Sequence, residues 1–114
     1  MDQVCLALSV LPGKSDDARD FMRELESTRK AEYAASERRI GILKEVWYLA
    51  HLPSGDHLVV YMESPDFGKA LGLFSRSQEP FDLWFKRRLA DATEVDLNNP
   101  PQGTGTELLS SYEA

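Results

Sequence analysis

The chain has 114 residues, 42% of them apolar and 10% aromatic, which suits one packed core and is too little for two domains. Its 13 Lys+Arg against 19 Asp+Glu give a net charge of −6, which argues against a surface built for the nucleic-acid backbone. No apolar run approaches the length of a membrane-spanning helix, and a single cysteine, Cys5, excludes an internal disulfide and any multi-thiolate metal site.

The first element is Val4-Cys5-Leu6-Ala7-Leu8-Ser9-Val10-Leu11, a nearly continuous apolar strand stopped by Pro12-Gly13. No basic stretch precedes it, so it is not expected to be a signal peptide, and with the lone thiol this points to the cytoplasm. Ser15 suits a helix N-cap, with Asp16 and Asp17 at the positive end of the helix dipole. The helix places Ala18, Phe21, Met22 and Leu25 on one face and is expected to run on through Arg29 and Tyr33 to about Ser36, before Gly41. Leu43 to Leu52 reads as a second strand, Pro53-Ser54-Gly55-Asp56 as a hairpin loop and His57 to Met62 as the returning strand.

Ser64-Pro65-Asp66 opens a helix carrying Phe67, Ala70, Leu71 and Phe74, with Pro65 where its missing N–H costs nothing. After a break, Pro80 opens another, with Phe81, Trp84, Phe85, Leu89 and Ala92 inward and Lys86-Arg87-Arg88 expected on its solvated face. Val95-Asp96-Leu97 reads as a short last strand. Beyond Asn98 the composition turns to Pro, Gly, Thr and Ser, giving a core unit at 1–98 and a flexible or partner-docking tail at 99–114.

The order is that of an α+β, ferredoxin-like β-α-β-β-α(α)-β antiparallel sheet with helices on one face. Such a sheet should alternate apolar and polar residues, but these strands are apolar on both faces. Val4, Leu6 and Leu8 oppose Cys5, Ala7 and Leu11, and Trp47 and Leu49 oppose Val46, Tyr48, Ala50 and Leu52. One layer of helices covers one face, so the open face is expected to meet a second copy in a homodimer.

The segments Arg38-Arg39-Ile40-Gly41-Ile42 and Pro80-Phe81-Asp82-Leu83-Trp84-Phe85, with Glu45-Val46-Trp47 and Val60-Tyr61-Met62-Glu63, resemble those of a bacterial family without assigned function in the dimeric α+β barrel superfamily. The resemblance spans about residues 2–98 and implies two ferredoxin-like protomers closing their sheets into one barrel. The superfamily includes cofactor-independent monooxygenases and isomerases, so the resemblance implies a small-molecule pocket between sheet and helices without choosing a reaction.

Within that frame the inward stripe of the first helix turns polar at Arg29 and Glu32, where an arginine would suit an anionic group. The alternative is a solvated ladder of ion pairs. On the strands, Glu45, Trp47 and His51 share a parity, and Glu45 or His51 beside an aromatic wall is a candidate general base. Trp47, Tyr61, Trp84 and Phe85 are the candidate walls, or simply core aromatics. His51 and His57 flank a turn without metal-site spacing, and no cofactor is implied. Two functions are open: a binder of a small organic molecule, with or without catalysis, and a non-catalytic dimeric module whose barrel is filled.

Overall fold

The computed structural model describes residues 1–100 and 105–114. The order is β1 (Asp2–Ser9), α1 (Ser15–Glu26), α2 (Lys30–Ile40), β2 (Lys44–Leu52), β3 (Gly55–Ser64), α3 (Phe67–Arg76) and α4 (Pro80–Thr93). Among the described residues the sheet has three antiparallel strands in the order β1-β3-β2, an open α+β arrangement. The register pairs Val4 with Met62, Leu6 with Val60 and Leu8 with Leu58, and sets Glu45 opposite Met62 and Trp47 opposite Val60. Since side chains alternate along a strand, these residues share the face on which the helices pack. No helix is long and apolar enough to cross a membrane, among the described residues.

The core lies between that face and the helices. Phe21 of α1 meets Trp84 edge-on at 5.4 Å and Phe85 at 4.9 Å, and Phe74 of α3 meets Phe85 edge-on at 5.4 Å. Ala18, Phe21 and Leu25 are the buried stripe of α1, as their spacing implies.

Four expectations are corrected. The long first helix is two, broken at Ser27, whose hydroxyl donates to the Arg23 carbonyl at 2.7 Å while the Arg29 N–H turns back to Glu24. A serine that competes for backbone groups favours such a break. The break resets the helical phase, so α2 turns Tyr33, Ser36, Glu37 and Ile40 inward. Second, α3 begins at Phe67 rather than Pro65, because the Asp66 side chain caps it by accepting from the Lys69 N–H at 3.1 Å. Third, Val95-Asp96-Leu97 forms no strand: the Asp96 carboxylate takes the Asn98 N–H at 2.9 Å and the Asn99 amide at 3.2 Å. A local turn thus replaces the ladder, and Val95 and Leu97 pack against the core. Fourth, Lys86 is buried. Its ammonium donates to the carbonyls of Phe74, Ser75 and Ser77 at 3.0–3.3 Å and so satisfies the C-terminal end of α3, while Arg88 pairs with Glu24 and only Arg87 is exposed as expected.

The opposite sheet face carries Cys5, Ala7, Val46, Tyr48, Ala50, Val59 and Tyr61, with Tyr48 63% exposed. Residues 105–114 form no regular element and expose Leu108, Leu109 and Tyr112, and the Thr106 hydroxyl donates to the Cys5 carbonyl. Part of the expected tail, 101–104, lies outside the described residues.

Candidate functional site

A cavity of about 130 Å³ lies between the sheet and the helices. Leu6, Leu8, Val60 and Met62 floor it, and Leu71, Phe74, Phe85 and Leu89 roof it. Among its described lining residues only Glu37 and Glu45 are ionisable, and they stand together at one end beside Trp47. A second, more open hollow of about 230 Å³ reaches the same two acids from outside, past Lys30, Tyr33 and Lys44.

Strand parity puts Glu45 inward, because Trp47 and Leu49 on the same face belong to the core. Its carboxylate accepts from the Tyr33 hydroxyl and from the Trp47 indole N–H, the latter at 3.0 Å. Glu37 hydrogen-bonds the same carboxylate from α2. Its Oε2 is buried and accepts from no donor among the described residues.

Burial, then the neighbouring charge of Glu45, pushes the Glu37 carboxyl up to about 9. Burial also raises Glu45, although the three donors Tyr33, Trp47 and Glu37 oppose it. Tyr33 is raised as well, first by burial and then by the charge of Glu45. The physical cause is common to all three: the site desolvates acidic groups, and no cation is among the described residues that line the cavity. At neutral pH Glu37 therefore keeps its proton and donates it to Glu45, a hydrogen bond that opposes the rise of the Glu45 carboxyl.

A different buried acid lies on α4. Asp82 is fully buried and accepts from Ser36 Oγ at 2.6 Å, Ser77 Oγ at 2.5 Å and the Arg39 guanidinium at 2.5 Å. Burial pulls this carboxyl up, but the three donors and the Arg39 charge outweigh it and hold it below the ordinary carboxylate range. Asp82 and Arg39 come from the Pro-Phe-Asp-x-Trp-Phe and Arg-Arg-Ile-Gly-Ile segments, so these two distinctive stretches meet in a structural tie between α2 and α4.

Of the residues singled out in the sequence, the structure brings Glu45, Trp47 and Phe85 together on the cavity. It leaves the others elsewhere. Arg29 and Glu32 pair at 3.3 Å at the α1–α2 junction, with the guanidinium 4.1 Å over the Trp84 ring. Trp84 packs on Phe21 and Phe81 and does not line the cavity. Tyr61 points to the opposite sheet face and donates to Glu63 at 2.6 Å. His51 is exposed, 2.8 Å from Asp56, which also accepts from Ser15 at 2.6 Å. Glu37 and Tyr33 were not anticipated. Their signal is the spacing Tyr33, Glu37, Ile40, a helical stripe in its own right once the break at Ser27 is recognised. Among the described residues no group of three or more His, Cys, Asp or Glu side chains could hold a metal ion.

Residues 1–99 match the model of a family of unknown function (DUF6176). No curated protein and no solved structure matches the chain.

Proposed function

We propose, for a chain that belongs to the DUF6176 family of unknown function, that it binds a small, largely apolar organic molecule between sheet and helices. The observation that carries this is the cavity itself: apolar walls, about 130 Å³ of space, and one polar end made of an under-satisfied carboxyl pair. A space of that order suits a single ring, since an apolar cavity of roughly 150 Å³ takes up benzene. Glu37 holds a proton at neutral pH and Glu45 accepts hydrogen bonds beside it, so a proton donor and an acceptor lie within reach of one bound molecule, the pairing that an isomerase or a cofactor-independent oxygenase needs.

The test is thermal unfolding with toluene, for the wild type and for Ala70→Leu, which places a larger side chain in the cavity wall. Toluene is expected to raise the melting temperature of the wild type by a few degrees and to leave the variant unmoved. A wild-type protein indifferent to toluene would contradict the proposal.

The protein acts in this proposal as a ferredoxin-like half of a dimeric barrel, in a soluble cytoplasmic homodimer. Tyr48, Val46, Ala50 and Val59 form an apolar sheet face with no layer of helices over it, and a second copy supplies the cover. Sedimentation at micromolar concentration should show a dimer that Tyr48→Glu dissociates, and a monomeric wild type would contradict it.

A further inference from the structure

The ligand class can be narrowed from the polar end of the cavity, in an argument that rests on the cavity being a binding site. Glu45 accepts from Tyr33, Trp47 and Glu37, and with these contacts its own demand for donors is largely met. Glu37 Oε2 has none. A carboxyl that donates its proton through one oxygen keeps an acceptor in the other, so what Glu37 lacks is a donor. Among the described residues the cavity lining does not supply it: β1, β3 and α3 contribute only apolar side chains, Arg39 on α2 is committed to Asp82, and Lys30 and Lys44 line the outer hollow instead. The rings of Trp47, Phe74 and Phe85 line the same space, and aromatic faces attract cations.

We infer that the cavity takes a small amine with an apolar ring or chain, its ammonium group donating to Glu37 and its body lying against Leu6, Met62 and Phe74. A cation at this point lets both carboxyls ionise, so binding expels the shared proton. A neutral alcohol of the same size meets Glu37 with one weaker hydrogen bond and expels nothing.

The proton expelled makes affinity depend on pH. The groups facing Glu37 are Tyr33 on α2, Glu45 on β2 and Asp82 on α4, with Lys30 and Lys44 along the outer hollow. Asp82 is held ionised and Tyr33 protonated through the neutral range, so the change in that range belongs to the carboxyl pair.

The experiment is calorimetric titration of the full chain with benzylamine, benzyl alcohol and toluene at pH 6 and pH 8. Benzylamine is expected to bind at least tenfold more tightly at pH 8 than at pH 6, and more tightly than benzyl alcohol at pH 8. The alcohol and toluene should bind equally at both pH values. Glu37→Gln should remove the pH slope and weaken benzylamine at least tenfold while leaving toluene unchanged. Toluene binding without a preference for benzylamine, or without the slope in the wild type, would overturn the amine assignment and leave the cavity reading intact. Failure of all three probes would overturn both. The wild-type slope decides the matter even if the variant does not fold.

Discussion

Asp82 and the Glu37–Glu45 pair are buried acids that share a helix, since α2 supplies Ser36 and Arg39 to one and Tyr33 and Glu37 to the other. Asp82 has a guanidinium and two hydroxyls around it, and its carboxyl is depressed. The pair has only each other, a phenol and an indole, and both carboxyls are raised. Asp82 lines neither of the two hollows, whereas the pair lines both. A buried acid whose lone pairs are filled by the protein is part of the scaffold. One left short of donors, beside empty space, keeps a demand that an outside molecule can meet.

That contrast is most easily broken at Asp82. Asp82→Ala removes the partner of Arg39 and strands two hydroxyl donors, Ser36 and Ser77, and is expected to cost roughly 2–4 kcal/mol in urea denaturation. Because the folded Asp82 is depressed, its contribution is present above the unfolded carboxylate value and is lost as pH falls through the folded one. A loss below about 1 kcal/mol would show that the Arg39–Asp82 tie is not structural.

The sequence made one member of the carboxyl pair readable and hid the other. Glu45 was visible because strand parity is strict: an acid two residues before Trp47 on an apolar strand has to face the core. The strands, the hairpin and the apolar faces of α1, α3 and α4 were readable for the same reason, that periodicity follows backbone geometry. Glu37 and Tyr33 were hidden by the break at Ser27. A continuous helix carries the stripe from Leu25 on to Arg29 and Glu32, whereas the reset phase of α2 turns those residues outward. Lys86 was hidden because its burial depends on the carbonyls at the end of α3, a contact between elements that no local pattern encodes. The last strand failed because Asp96 found its partners within three residues.

The smaller effect, and the sharper test, lies at the pair. Glu37 is raised in the folded protein from 4.5 to about 9, so its contribution to stability is fully present below the unfolded value and drains away as pH rises toward about 9. Glutamine keeps the shape and a hydrogen-bond donor and cannot ionise. The direct measurement is urea denaturation of the wild type and Glu37→Gln side by side at pH 5 and pH 9, where titrations elsewhere in the chain cancel in the difference. The two proteins should lie close together at pH 5, and the variant should gain about 1–3 kcal/mol on the wild type at pH 9. An unchanged difference between the two pH values would mean that Glu37 ionises like a solvated carboxyl, and the cavity would then hold no uncompensated acid for a ligand to meet.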